Sequence, residues 1–242
     1  MHVREFDFNL PRDLIAQAPS PTRGEGRLLH LSRASGLITH TRIAALPDLL
    51  GPGDLLVLND TRVFPARLLG HRVPSGGIVE CLLIRDLASQ ESPTARPLSN
   101  PDATSLPSCS DPSEVQIWEA LMHPGQKLKA GARMTFEGDV TIHGEVLERR
   151  FHGRRLIRLW TDDGVPLNTA VDTIGHVPLP PYIKRPDLAA DRERYQTVFA
   201  RQRGSVAAPT AGLHVSGALL DALGARGIDT AFITLHVGYG TF

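Results

Sequence analysis

DLLVLNDTRVFPARLLG, running from Asp54 to Gly70, holds the change of texture that decides how this chain folds. Its opening run, Asp54 to Leu58, is apolar and fits a buried strand. The run stops at Asn59-Asp60-Thr61-Arg62, where a sheet would open into a loop. Taken alone, this tetrad suits an Asx-turn, because Asn and Asp side chains bond their own backbone. Its place at the end of a buried strand also makes it a candidate ligand loop. Beyond Pro65 the pattern changes again, to short strands only.

Ala66 to Val73, Ile78 to Ile84, Ile117 to Met122, Arg133 to Phe136, Val140 to Leu147 and Arg155 to Trp160 read as strands. Gly76-Gly77, Pro124-Gly125, Gly131 and Gly138 punctuate them, the spacing of a small barrel or sandwich. Ala88 to Ser113 interrupts the series with Ser and Pro and almost no large apolar side chain. Such a segment cannot bury enough surface to offset its own ordering, so a disordered hairpin insertion is expected.

On both sides of this β region the texture is mixed. Upstream, Leu28 to Leu31 and Leu37 to Thr39 flank a Ser35-Gly36 turn as a hairpin, and Pro47 to Leu50 suggests one helical turn before Gly51-Pro52-Gly53. Downstream, VPLPPYI (Val177 to Ile183) must be extended because its prolines forbid helix, and it projects Tyr182. Asp191 to Ala200 has helical character and carries Arg194, Tyr195 and Gln196. Ser216 caps a short helix whose Leu219, Leu220 and Leu223 face inward, closed by Gly224 or Gly227. Thr230 to Val237 reads as a strand with Phe232, Thr234 and His236 on one face. The whole implies a β domain inserted into a mixed domain.

Composition excludes several classes. The 26 basic and 26 acidic residues balance, so no global field draws the chain to nucleic acid or membrane. Nearly all the basic residues are arginine, a bias that a GC-rich genome would also produce. Cys81 and Cys109 make neither a disulfide framework nor a metal site, and the ten histidines show no metal-ligand spacing. The amino-terminal MHVREFDFNLPRDL is too charged for a secretory signal and no run is long enough to span a bilayer, so a cytoplasmic protein is expected.

Two blocks carry the functional signal. GSVAAPTAGLH (Gly204 to His214) packs small residues more densely than a helix start needs, as a loop approached by a ligand would. LHVGYGTF (Leu235 to Phe242) has a similar character one helix later. Gly238-Tyr239-Gly240 lacks the third glycine and following helix of a dinucleotide fingerprint, and there is no Walker loop or nucleophile elbow. His214 and His236 are the acid/base candidates, since histidine titrates near neutrality.

In order along the chain, LPRDLIAQAP (Leu10 to Pro19), LVLNDTRVFPARL (Leu56 to Leu68), GGIVECLLIR (Gly76 to Arg85), VPLPPYI, RYQTVFA (Arg194 to Ala200), GSVAAPTAGLH and TLHVGYGTF (Thr234 to Phe242) resemble the S-adenosylmethionine:tRNA ribosyltransferase-isomerase family of queuosine synthesis. The resemblance implies a mixed α+β fold of two domains. A small antiparallel β-barrel domain, residues 66–160, is inserted into a mixed α/β domain made of 1–65 and 161–242. It also implies transfer of the ribosyl part of S-adenosylmethionine to 7-aminomethyl-7-deazaguanine at the tRNA wobble position, giving epoxyqueuosine with release of adenine and methionine. A sulfonium acidifies its neighbouring C–H bonds, so a base can take a C5′ proton without help from a metal. His214 or His236 is the expected base or proton donor to adenine, with Asp60 the carboxylate alternative.

Asn59, Thr61, Arg62, Tyr182, Pro209, Thr210, Ala211, Gly212, Gly238 and Gly240 are the expected contacts to S-adenosylmethionine. Arg67, Arg194, Tyr195 and Gln196 are those to tRNA. The partners implied are tRNA and S-adenosylmethionine, the latter a co-substrate with no prosthetic group or metal, and a monomer is expected. Three features depart from the family pattern. Gly26 stands where a serine is usual, Val215-Ser216 replaces Phe-Thr, and the sequence ends at Phe242 where the family continues. A non-catalytic chain that still binds tRNA or S-adenosylmethionine is the alternative expectation.

Overall fold

The computed structural model of the chain describes residues 2–87, 115–162 and 164–241. It opens on an antiparallel hairpin of β1 (Arg27–Leu31) and β2 (Ile38–Arg42), with Gly36 at φ 70° in the turn. One helical turn, α1 (Leu46–Leu49), leads to β3 (Leu55–Asn59) and β4 (Thr61–Val63). Six strands follow: β5 (Arg67–Val73), β6 (Ile78–Asp86), β7 (Gln116–His123), β8 (Arg133–Phe136), β9 (Ile142–Arg149) and β10 (Arg154–Thr161). Then come α2 (Leu167–Ile174), α3 (Asp191–Arg194), β11 (Gln202–Ser205), α4 (Gly217–Ala225) and β12 (Asp229–Ile233). The fold is mixed α+β.

The six middle strands close into an antiparallel barrel in the order β10-β7-β6-β5-β8-β9. Alternation along each strand makes this possible. In β10 every second residue (Arg155, Ile157, Leu159, Thr161) is buried, and the residues between them are half-exposed. Phe136, Leu68, Leu83, Met134, Ile142 and Val146 fill the interior with almost no exposure. Gly70 marks a point where strands nearly touch, since a Cβ there would lie 2.0 Å from the Thr135 carbonyl oxygen. Arg155 is a buried charge within this core, and its guanidinium donates to the Leu128, Gly153, Arg154 and Gly125 carbonyls at 2.6–3.0 Å. Helix α2 packs on the barrel through Leu167, Ala170 and Val171.

The flanking segments join each other across the barrel. β3 pairs with β12 in parallel, Leu55 opposite Asp229 through Asn59 opposite Ile233. β4 pairs with β11 in parallel, with Thr61 opposite Gln202 and Arg62 opposite Arg203. Parallel neighbours need long connections, and here the connection contains the barrel. Leu58, Phe199, Val215, Leu219, Leu223 and Ile228 form a second core under α4. Val63, Val177, Tyr195 and Ala208 form a third.

Several expectations shift in detail. The helix expected over Asp191–Ala200 is the single turn α3. It ends where Gln196 turns its amide onto the Val63 backbone, donating to Val63 O at 2.6 Å and accepting from Val63 N at 3.0 Å. The strand expected over Thr230–Val237 stops at Ile233, because side chains of Asn59 and Ser205 take the backbone that follows. Ser216 does cap α4, its Oγ accepting from Leu219 N at 3.2 Å. The closing glycine is Gly227, at φ 73°, with Ile228 N bonded back to Leu223 O at 3.1 Å. Leu219 and Leu223 are buried as expected, and Leu220 is half-buried. The expected disordered insertion, 88–113, lies outside the described residues.

Candidate active site

The loop between β3 and β4 is the hub of the candidate site. Asn59 Oδ1 accepts from Thr61 N at 3.2 Å, the Asx-turn that its sequence suits. The same amide reaches across the chain: Oδ1 accepts from Leu235 N at 3.0 Å and Nδ2 donates to Leu235 O at 2.8 Å. Asp60, 7% exposed, accepts from the Thr234 hydroxyl at 2.7 Å. Its backbone is equally engaged, N to Ile233 O at 2.9 Å and O from Arg201 N at 2.7 Å. Three consecutive side chains thus hold residues 234–236 off the sheet in one fixed path.

Thr61 completes the hold. Its buried hydroxyl lies 2.8 Å from His236 Nδ1 and 2.8 Å from Ser205 Oγ, and Ser205 Oγ accepts from Val237 N at 2.8 Å. A Cβ on Gly204 would stand 2.7 Å from His236 Cε1 and Nε2, so only glycine allows the ring to lie on this backbone. With Nδ1 held by Thr61, Nε2 is the ring nitrogen that makes no hydrogen bond among the described residues. His236 lines a cavity of 630 Å³ with Gly238, Tyr239, Trp118, Arg154 and Arg203.

His214 lines a different cavity, of 400 Å³, with Tyr182, Arg194, Tyr195, Thr210 and the segment from Ala16 to Gly26. The amino-terminal segment is tied down by Arg23, which donates to the Leu213 and Glu193 carbonyls at 3.1 Å each. Burial, then the neighbouring Arg194, holds the Arg23 guanidinium below its usual pKa. A Cβ on Gly26 would lie 3.3 Å from His214 Nδ1, so this glycine sits directly against the imidazole. Arg185 closes the floor with two bonds to Asp191, at 2.6 and 2.9 Å. Those bonds hold the Asp191 carboxyl below its usual range, helped by Leu188 N at 2.7 Å. The Tyr195 hydroxyl is buried, and burial pushes its pKa up to about 12.

The structure therefore divides the residues singled out in the sequence. Tyr182, Arg194, Tyr195, Thr210 and His214 share the 400 Å³ cavity. Arg62, Tyr195 and Gln196 line a third one of 490 Å³. His236 and Gly238 line the 630 Å³ cavity, and the two histidines do not meet in one cavity. Pro209, Ala211, Gly240 and Asp60 line none of the three. Gly212 is required by packing, since a Cβ there would be 2.9 Å from Thr197 Cγ2. Arg67 is paired with Glu80 at 2.7 Å, Arg194 donates to the Ser20 carbonyl, and Gln196 is held by Val63. Sequence reasoning missed Ser205, Arg23 and the Arg185–Asp191 pair. Ser205 sits inside a block recognised only for its small residues, and the other three carry no local pattern.

Comparison with known proteins adds a decisive observation. A family model described as queuosine biosynthesis protein matches residues 3–242. The chain belongs to this family. It is 45% identical to the S-adenosylmethionine:tRNA ribosyltransferase-isomerase of Solibacter usitatus, covering all of this chain and 65% of that relative. The enzyme of the same name from Staphylococcus saprophyticus is 43% identical over all of this chain and 62% of its own length. A crystal structure of S-adenosylmethionine tRNA ribosyltransferase from Thermotoga maritima is 29% identical, with a TM-score of 0.35, covering 97% of this chain and 58% of that one. The chain thus spans less than two thirds of these relatives' lengths. Among the described residues no helix is long and apolar enough to cross a membrane, and no group of three or more His, Cys, Asp or Glu is arranged to hold a metal ion.

Proposed function

We propose that this member of the queuosine biosynthesis family acts in tRNA modification. In this reading it transfers and isomerises the ribosyl moiety of S-adenosylmethionine onto 7-aminomethyl-7-deazaguanine at the wobble position. Epoxyqueuosine-tRNA, adenine and methionine are the products. The observation that carries the reading is the match over residues 3–242, together with relatives at 41–45% identity that bear this activity in their names. The barrel, residues 66–160, is then an inserted domain, and 1–65 with 161–242 form the domain around it.

In this reading the Asn59-Asp60-Thr61 hub orients His236 for proton transfer. The positive sulfur of S-adenosylmethionine acidifies the C5′ hydrogens and stabilises the ylide left when one is removed. His236 Nε2 is the nitrogen available to take that proton, and the Thr61 contact fixes the ring while it does so. His214, in the cavity with Tyr182 and Tyr195, is the second candidate, for the proton that adenine needs as it leaves. Asp60 supports the hub through Thr234, which makes it a positioning residue here.

Ribose-labelled S-adenosylmethionine, incubated with tRNA carrying the precursor base, tests this directly. Label in the wobble nucleoside with adenine released is the expected result. A folded protein that retains tRNA or S-adenosylmethionine binding but transfers no label would instead mark a non-catalytic binding protein. His236→Ala and His214→Ala separate the two cavities. Loss of label in the first with S-adenosylmethionine binding retained is expected, and undiminished turnover in both would remove the histidines from the chemistry.

A further inference from the structure

The chain is neutral overall, yet one cleft is strongly cationic. The 490 Å³ cavity between β4, β11 and the α2–α3 region is lined by Arg62, Arg192, Arg201 and Arg203. Arg62 and Arg203 are register partners on adjacent parallel strands, so two like charges stand side by side. Such a pair is unfavourable unless something else meets the charge. Several arginines elsewhere in this chain answer to carboxylates: Arg67 to Glu80, Arg154 to Glu119, Arg158 to Glu145, Arg185 to Asp191 and Arg226 to Asp48. In the cleft only Arg203 does among the described residues, through Asp172 at 2.5 Å.

The other three make no ion pair among the described residues, while two of them are held in place. Arg201 lies over the Phe232 ring, 5.0 Å from its centroid. Arg192 donates to the carbonyls of Asp172, Thr173 and Gly175, which are neutral acceptors. Arg203 is also stacked, 4.9 Å above Phe64. Arg62 makes no ion pair among the described residues. Asp191, the other acid lining the cleft, is already taken by Arg185. Aromatic faces and carbonyls fix guanidinium planes without neutralising them, which lowers the ordering cost of binding an oxyanion.

We propose that this cleft seats successive phosphates of an RNA backbone, with Arg62 and Arg201 the principal contacts. The proposal rests on the tRNA reading above and adds where the backbone lies. A seat for a single carboxylate or phosphate needs one guanidinium fork; arginines drawn from β4, β11, α3 and the residue before β11 suit an extended polyanion.

The test is binding of unmodified tRNA by fluorescence anisotropy across a salt series. Arg62→Ala and Arg201→Ala, shown folded by circular dichroism, are compared with the wild type and with Arg226→Ala as a paired-arginine control. Each cleft variant is expected to lower the slope of log affinity against log salt by about one, while Arg226→Ala leaves it unchanged. Slopes equal to wild type in both cleft variants would overturn the cleft assignment and leave the tRNA reading standing. A wild-type protein that binds no tRNA would overturn that reading itself. Titration of S-adenosylmethionine and of inorganic phosphate forms the second arm. Variants that lose either small ligand while keeping the full tRNA slope would make the cleft a small-anion seat and refute the RNA assignment.

Discussion

The barrel and the paired parallel strands treat their backbone edges in opposite ways. In the barrel every strand has two neighbours, and the ring closes where β9 meets β10. Around it, β3–β12 and β4–β11 are separate two-stranded parallel pairs. Parallel sheets in most folds are buried on both faces. Here Leu55 is 59% exposed and Leu235, just beyond β12, is 60% exposed. The barrel is thus held by its own hydrophobic interior, whereas the parallel pairs combine two smaller cores, through Leu58 and Val63, with side-chain hydrogen bonds from Asn59, Asp60 and Thr61. The candidate site sits on the second kind of structure, where geometry is set by a few polar contacts.

The largest test of this contrast lies in the barrel. Phe136 is fully buried in the barrel interior. Phe136→Ala should cost about 4 kcal/mol, from lost transfer energy plus a cavity that the closed ring cannot collapse around. Urea denaturation followed by tryptophan fluorescence checks this, since Trp118 and Trp160 both lie on barrel strands. A loss below about 2 kcal/mol would mean that the ring relaxes and is less rigid than its closure implies.

Next in size is the Arg185–Asp191 pair, which anchors the wall of the His214 cavity. Asp191 is 5% exposed and Arg185 partly so. Asp191→Asn leaves Arg185 without its carboxylate and should cost about 3 kcal/mol, the low end for a broken buried pair. The sign with pH follows from the lowered Asp191 pKa. Its contribution is complete above the ordinary carboxylate value of about 4 and is lost as pH falls through the lower folded value. Denaturation at stepped acid pH should therefore show a stability decline in the wild type that is reduced in the variant.

How far the sequence revealed this architecture follows the same contrast. Barrel strands were legible almost to the residue: Arg133 to Phe136 is β8 as read, and β6 begins at Ile78. Period-two burial leaves its mark directly in the order of residues. Closure as a barrel left none, because the β5–β8 and β7–β10 pairings join strands distant in sequence and are fixed by register and strand tilt, not by local pattern. The parallel pairs were legible only as strands, since the segments that meet lie on either side of the barrel in sequence. The candidate site was legible where it needs special backbone, as at Gly204 under His236, and where a polar loop follows an apolar strand, as at Asn59 to Thr61; that strand reads as buried, yet Leu55 and Val57 are more than half exposed. It was illegible where the role comes from fold-made neighbours. Ser205 looks like any small residue, and Arg192, Arg201 and Arg203 look like compositional bias until the fold brings them to one cleft.

A smaller and more local effect should follow from Thr61→Val, which keeps shape and removes the hydroxyl between Ser205 and His236. The buried Ser205 hydroxyl and His236 Nδ1 both lose a partner, at a cost of about 2 kcal/mol. Hydrogen exchange distinguishes this from global damage. Leu235 and Val237 amides should exchange faster in the variant while barrel amides keep their protection, because local opening draws on the less stable unit. Uniform acceleration across the barrel would show that the two units unfold as one and break the contrast.

The smallest expected effect is at Leu55, and it sharpens the comparison most. Its side chain is mostly exposed on β3, so Leu55→Ser should change stability by less than about 0.5 kcal/mol if that face meets only water. Urea denaturation at two protein concentrations is the measurement. A loss of more than about 1 kcal/mol, growing with concentration, would show that copies of the chain cover this face for one another in solution. The parallel pairs would then owe part of their order to association, as an exposed apolar strand invites. A null result at both concentrations would leave the Asn59-Asp60-Thr61 contacts as what keeps residues 234–236 in place. The orientation of His236 would then be a property of the single chain, set by three side chains on one loop.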